Sequence, residues 1–217
     1  MLTAPGSRSF TYDPQGRTTG DTSPAGQSTY AYDSLDRLKS KTTPDGQSLD
    51  FSYDAFSRLT TTTGDGLTRT YAYALDDRPI FEQTQIGRPG LSAATRTKAY
   101  NYGPQGLLST RVNDSTPTYP VADEHGSVLA ELTESGEIEN PRDYDPFGVE
   151  LEEPQPPDPA DATSALDDSS FDYLGAHGRA GLYGSDQIHM GARLFDPSTG
   201  RFTSRDPEPG APTSPQS

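Results

Sequence analysis

The sequence predicts an all-β chain, a ribbon of stacked β-hairpins interrupted by an acidic disordered loop and ended by a disordered tail. Three observations carry this. Tyrosine-anchored units recur about every 20 residues, aromatic residues within a unit alternate with period two, and the 217 residues include 21 glycines and 20 prolines. That much Gly and Pro interrupts helices but suits a chain that turns every ten residues or so.

The units follow in order. Tyr12-Asp13-Pro14-Gln15-Gly16-Arg17 is followed by Tyr32-Asp33-Ser34-Leu35-Asp36-Arg37-Leu38, then by Tyr53-Asp54-Ala55-Phe56-Ser57-Arg58-Leu59 and Tyr73-Ala74-Leu75-Asp76-Asp77-Arg78. The anchors Tyr12, Tyr32, Tyr53 and Tyr73 lie 20, 21 and 20 residues apart, and an Arg follows each by five positions. A fifth unit begins at Tyr102, after an irregular stretch holding Arg88-Pro89-Gly90. Between the anchors sit Pro24-Ala25-Gly26, Pro44-Asp45-Gly46 and Gly64-Asp65-Gly66, tight corners at φ values that glycine tolerates. The pairs Tyr30/Tyr32, Phe51/Tyr53, Tyr71/Tyr73 and Tyr100/Tyr102 each put two aromatics on one strand face. Threonines between them, including the run from Thr60 to Thr63, favour strands. Each unit therefore reads as a hairpin. Arg17, Arg37, Arg58 and Arg78 read as structural partners of the neighbouring aspartates, in exposed pairs worth about 0.2–1 kcal/mol each.

Composition limits the alternatives. Leu, Ile, Val and Phe supply only 33 residues and the net charge is −15, a combination typical of disorder, but evenly spaced aromatics argue against a low-complexity disordered repeat. Residues 1–110 carry 11 basic and 11 acidic side chains, so the whole negative charge falls on 111–217. No basic stripe exists for phosphates, which argues against nucleic acid and anionic membranes as partners. No run of 18 apolar residues forms a transmembrane segment, the first residues lack the blocks of a signal peptide, and no cysteine is present. His125, His177 and His189 lack ligand spacing, and no phosphate loop or nucleophile elbow occurs, so no metal site and no cofactor are expected.

These units resemble the YD repeats of bacterial Rhs proteins, toxin-complex C subunits and teneurins. Residues 119–128, with Asp123-Glu124-His125-Gly126-Ser127-Val128, and Tyr144-Asp145-Pro146-Phe147-Gly148 are similar to segments of the Rhs repeat-associated core. Gly181-Leu182-Tyr183, the stretch from Gly191 to Pro197, the stretch from Gly200 to Ser204, and Asp206-Pro207 follow the order that closes that core. The resemblance divides the chain into YD hairpins (9–110), the start of the core (111–148), an acidic Pro-rich linker expected to be disordered (149–170), the end of the core (171–210) and a loose tail (211–217).

The resemblance implies a structural fragment of a β-shell that encapsulates and presents a C-terminal polymorphic toxin, in a bacterial secreted or cell-surface setting. Its partners would be other parts of the shell or the toxin cargo. About 14 strands at about 4.8 Å would close to a diameter of about 21 Å, whereas a 100-residue cargo is about 34 Å across, so this length alone is too short to enclose one. The family also carries an aspartic autoprotease. Arg193 and Asp206 match its Arg and first Asp, but the second Asp and the cleavage site do not occur before Ser217, and Glu208-Pro209-Gly210-Ala211 departs from the family pattern. No enzyme activity is expected. Asp196, before Pro197, reads as a turn residue. Two other readings are a YD-repeat module binding carbohydrate or protein at the cell surface through its tyrosine-rich face, and a vestigial autoprotease.

Overall fold

A computed structural model of the chain describes residues 8–87, 93–151, 171–181, 187–191 and 193–205. Ten strands form one antiparallel meander in chain order: β1 (Ser9–Tyr12), β2 (Thr18–Ser23), β3 (Gly26–Tyr32), β4 (Leu38–Thr42), β5 (Ser48–Tyr53), β6 (Leu59–Gly64), β7 (Leu67–Tyr73), β8 (Pro79–Ile86), β9 (Ala94–Gly103) and β10 (Gly106–Val112). The ribbon does not close, because β1 and β10 are its two edges. A second sheet holds β11 (Tyr119–Ala122), β12 (Val128–Leu132) and β13 (Ile138–Glu139). A third holds β14 (Ala180–Gly181), β15 (Ile188–Met190), β16 (Arg193–Asp196) and β17 (Arg201–Phe202).

The period-two pattern sets which face is covered. In β3, β5, β7 and β9 the first aromatic of each pair is buried and the repeat tyrosine is partly buried beside it. Tyr30, Leu38, Leu49, Phe51, Leu59 and Tyr71 form one continuous core with Tyr32, Tyr53 and Tyr73 at its margin. The expected single ribbon of about fourteen strands is thus a ten-stranded ribbon followed by two small sheets. It breaks after β10, where Asn113 takes φ 50° and Pro117 follows, and the Thr110–Thr118 bridge links the first two sheets.

One corner is built seven times, starting at Asp13, Asp33, Thr43, Asp54, Asp123, Thr133 and Asp145. The first residue's N–H donates to the fifth carbonyl at 2.9–3.0 Å, and the fourth N–H donates back to the first carbonyl at 2.9–3.2 Å. The fourth residue must then be left-handed, and the register shifts by one at the Tyr that precedes the corner, as at Ala31/Tyr32 and Ser52/Tyr53. Gly16 (φ 80°) and Gly46 (φ 85°) suit that position, whereas Asp36 (61°) and Ser57 (62°) hold it at a cost. Gly26 (125°) and Gly66 (69°) serve the shorter corners on the opposite edge, where Gly46 also lies.

The closing segments cover the ribbon. Residues 171–181 cross β9 and β10, with Phe171 edge-on to Tyr100 at 4.4 Å and Ala180 packed beside Leu107. Gly106 permits this approach, since a Cβ there would lie 2.4 Å from the Ala176 carbonyl oxygen. Leu194 of β16 joins the tyrosine core. Of the linker expected to be disordered, residues 149–151 are instead held: Asp145 N–H donates to Val149 and Leu151 N–H to Asp143, at 2.9 and 2.8 Å. The rest of that linker and the tail from residue 206 lie outside the described residues.

Ser57→Gly relieves the left-handed strain and is expected to raise unfolding free energy by about 0.5–1 kcal/mol. Gly46→Ala meets no atom within 4 Å, so its expected loss of about 1 kcal/mol would come from φ alone. Urea titrations of both variants measure the two effects.

Candidate functional site

The repeat residues assemble into a ladder that runs from unit to unit. In the second unit the Asp33 Oδ1 accepts from the N–H groups of Leu35 (2.9 Å) and Arg37 (3.0 Å), and its Oδ2 accepts from Arg37 Nε at 2.7 Å. Asp13 with Arg17 and Asp54 with Arg58 repeat this at 2.6–3.0 Å. Held by its own aspartate, each guanidinium lies over the tyrosine of the following unit. Arg17 covers Tyr32, Arg37 covers Tyr53, Arg58 covers Tyr73 and Arg78 covers Tyr102, each at 4.8 Å. The covered hydroxyl then donates to the carbonyl of the residue after that Arg: Tyr32 to Thr18 (2.9 Å), Tyr53 to Leu38 (3.0 Å), Tyr73 to Leu59 (2.7 Å) and Tyr102 to Pro79 (3.0 Å). In the fourth unit the acid has moved to Asp76, which takes Arg78 Nε at 2.8 Å, yet Arg78 keeps its place over Tyr102.

The electrostatics follow from this packing. Burial pushes the Tyr32, Tyr53, Tyr73 and Tyr102 phenols up, against the pull of the covering arginines. Burial also works to raise Asp13, Asp33 and Asp54, but the N–H and guanidinium donors outweigh it and hold all three below the usual carboxylate range. The Arg78 bond does the same for Asp76.

A clasp joins the two ends of the described chain. Arg8 Nε donates to Asp21 Oδ1 at 2.8 Å, and its Nη2 reaches both Asp21 and, at 3.1 Å, Asp196 Oδ2. Thr203 continues the clasp, its carbonyl accepting from Thr18 N–H at 2.9 Å and from the Tyr32 hydroxyl at 3.1 Å. Beside it opens a cleft of about 450 Å³ lined by Asp21, Tyr30, Lys41, Leu49, Gln187 and Asp196. The guanidinium stands between the two carboxylates, so they share a cation, whereas an aspartic acid–base dyad shares a proton. A second cleft of about 380 Å³, lined by Arg96, Lys98, Glu131, Glu139, Arg142 and Phe171, mixes both signs of charge.

Between the clefts the covered face carries a polar band. Glu82 accepts from the Tyr100 hydroxyl at 3.0 Å and from Thr84 at 3.2 Å, and lies 3.3 Å from Arg69 Nε. Burial pushes the neighbouring Lys98 ammonium down.

Of the residues singled out from sequence, Tyr32, Tyr53, Tyr73 and Tyr102 occupy equivalent ladder positions, while Tyr12 stands at the open edge. Arg193 stacks over Phe202 at 3.8 Å, and Asp206 lies outside the described residues. Asp196 does make a turn, its carbonyl accepting from Gly200 N–H at 2.9 Å, but it is also half of the clasp. The histidines stay apart: His125 is exposed, His177 lies beside Gly126, and His189 lies 6.4 Å from Tyr53 with burial pushing its imidazole down to about 4. Among the described residues no group of three or more His, Asp or Glu could hold a metal ion, and no helix is long and apolar enough to cross a membrane. Sequence reasoning missed Arg8 and Asp21, which no local motif marks. It also missed Arg69, Glu82 and Lys98, which strand alternation alone would have placed on the covered face.

Along the ribbon each unit's Asp-held Arg thus covers the next unit's Tyr. The RHS Repeat family matches residues 12–44 and 32–68, so the chain carries RHS repeats there. It is 27% identical over 163 residues to the tRNA3(Ser)-specific nuclease WapA of Bacillus spizizenii, and 26% identical over 163 residues to the tRNA nuclease WapA of Bacillus subtilis. Each match covers 74% of this chain and 6% of the relative, so the chain spans about 6% of the length of these curated proteins. Crystal structures of TcdB2-TccC3, alone and with Cdc42, align over 92% of this chain and 16% of theirs, at 14% identity and TM-scores of 0.39 and 0.38.

Two predictions follow from ladder and clasp. The corner aspartates have folded pKa values below their unfolded ones, so their contribution is complete above about pH 4 and is lost as pH falls through the folded values. The buried phenols shift the other way, so theirs is complete below about pH 10 and is lost as pH rises further. Urea midpoints are expected to form a plateau with both limbs, and Asp33→Asn with Asp54→Asn to flatten the acid limb only. Asp196→Asn, which removes one charge from the clasp, is expected to weaken docking of residues 187–205 by about 1–3 kcal/mol. Amide exchange would then rise there while the β3–β7 amides keep their protection.

Proposed function

We propose that the chain is a structural segment of an RHS-type β-shell that surrounds and presents a C-terminal toxic domain, and that further strands are needed to enclose cargo. The observation that carries this is the ladder, in which every covered tyrosine is completed by a different unit, so that the structure propagates as a ribbon. Two features support the need for more chain. Ten strands at about 4.8 Å would close to only about 15 Å, against about 34 Å for a 100-residue domain, and Leu194 already packs into the cluster that holds Tyr30 and Phe51. Leu35, Phe56 and Leu75 also stand exposed at successive corners on one edge, a row of apolar side chains suited to cover by an adjoining turn of ribbon.

The reading as a glycan-binding tyrosine face gains no support. That face is covered, and the repeat hydroxyls donate to backbone carbonyls. We read Arg193, stacked over Phe202, as structural, and propose no proteolysis by this chain.

Residues 33–53 tile from one corner to the next, so copies inserted after Tyr53 lengthen the ribbon without a new junction. With a reporter domain of about 100 residues fused after Ser217, the reporter's lifetime in thermolysin is expected to rise with the number of copies, and its intact mass to stay uncut. A reporter digested at the free-domain rate at every ribbon length, in fusions whose circular dichroism shows the added β-structure, would overturn the shell reading. Self-cleavage abolished by Asp206→Asn would overturn the absence of proteolysis.

A further inference from the structure

The cleft between the first two sheets carries two carboxylates that no described cation answers. Pro120 pairs with Glu131 and Glu131 with Glu139, so the three form one cross-strand row, and all of them line the cleft. Two carboxylates directly opposite each other on one sheet face repel, and a neutral residue at either place would avoid the cost. Glu131 accepts from the Thr118 hydroxyl at 2.8 Å through Oε2. Neither Glu131 nor Glu139 is ion-paired with a described residue.

The rest of the lining is cationic and apolar. Alternation along β9 puts Arg96, Lys98 and Tyr100 on one strand face, and all three line the cleft. Lys98 lies opposite Glu82 and belongs to the ribbon's own polar band, whereas Arg96 lies opposite the uncharged Thr84. Arg142 adds a second guanidinium. Its Nε lies 3.3 Å from Asp172 Oδ1, while its Nη1 is buried with no hydrogen-bond partner among the described residues, a donor that costs stability while unmet. Tyr100, Leu107, Val128 and Phe171 supply apolar surface, each at most 8% exposed. The volume is about 380 Å³, at the small end of the range of about 300–1,000 Å³ for ligand pockets.

We infer that this cleft binds a small zwitterion with an apolar body, an amino acid or a dipeptide. Its ammonium lies between Glu131 and Glu139, its carboxylate is taken by Arg96 and Arg142, and its side chain rests against Leu107 and Phe171. Both charges are required. An ammonium between the two carboxylates removes their repulsion, and a guanidinium takes a carboxylate through parallel hydrogen bonds. A lone cation would leave the guanidinium donor unmet, and a lone anion would leave the carboxylates repelling. The inference does not rest on the shell reading, because β9, β12, β13 and the segments flanking them form the cleft within this chain.

Titration calorimetry of the full chain with leucine and with leucyl-leucine tests this. Saturable binding of at least one is expected at millimolar ligand, with new amide protection at residues 94–100 and 128–139. For the better ligand, the N-acetyl form, which lacks the ammonium, and the amide form, which lacks the carboxylate, are each expected to bind at least about tenfold more weakly. Glu139→Gln is the decisive variant, because Glu139 is exposed and the substitution keeps its shape. It is expected to lower affinity about tenfold and, without ligand, to raise the urea midpoint, since the repulsion across the row is gone. Arg96→Gln is expected to shrink the advantage of the zwitterion over its amide form. Absence of saturable binding, equal binding of the N-acetyl or amide form, or protection confined to the cleft beside Arg8 would overturn the inference. So would a Glu139→Gln chain that binds as well as the unchanged one or unfolds at lower urea, which would make that carboxylate structural.

Discussion

Everything in this fold leans on what one guanidinium does between two repeats. Arg37 is bound through Nε to its own corner aspartate, covers the ring of Tyr53 in the next unit, and donates from Nη1 to the Asp54 carbonyl at 3.2 Å. A planar group with five donors can serve two directions at once while stacking on a ring, which the single-point ammonium of lysine cannot do. Aspartate is equally specific. Its short side chain reaches the N–H groups two and four residues on while presenting its other oxygen to the arginine, as Asp54 does for Phe56 and Arg58. Tyrosine supplies a ring to cover and a hydroxyl that ties back to the strand behind the arginine.

This explains how a chain so poor in aliphatic residues holds a ten-stranded sheet. A single exposed Asp–Arg pair contributes little, and an isolated hairpin is marginal in water. Here the Asp13–Arg17, Asp33–Arg37 and Asp54–Arg58 pairs are partly buried, and each unit completes its neighbour. What the ribbon lacks is a layer on its covered face, and the closing segments supply it from far along the sequence: Phe171 against Tyr100, Leu194 among the repeat tyrosines, Thr203 on Thr18. Local corners form the ribbon, and a few contacts spanning nearly the whole chain hold it covered.

Much of this was legible, for a physical reason. Corners and strand alternation are local, so Tyr-Asp-x-x-x-Arg and the intervening glycines pointed to hairpins whose geometry recurs from Asp13 to Asp145. The ladder was not legible, because Arg17 and Tyr32 or Arg78 and Tyr102 meet only once the strands between them have paired. The arginines looked like partners of their own aspartates alone, which is half of what they do. Asp196 read as a turn residue because its turn is local and its ion pair, 188 residues away, is not. The break after β10 lay in plain view at Asn113 and Pro117, but repeat counting extended the ribbon past it.

The covered face is not uniform. Inward positions change along the ribbon from the apolar Tyr30–Phe51–Leu59 stretch to the Arg69–Glu82–Lys98 band. The closing segment sits on the apolar stretch and takes Leu194 into it. A buried ionic band stabilises weakly for the desolvation it entails, but its groups demand matched partners and so fix register. The apolar stretch, by contrast, accepts any well-shaped hydrophobic cover. Placing the two side by side lets the polar band set how β7, β8 and β9 align while the apolar stretch holds the closing segment.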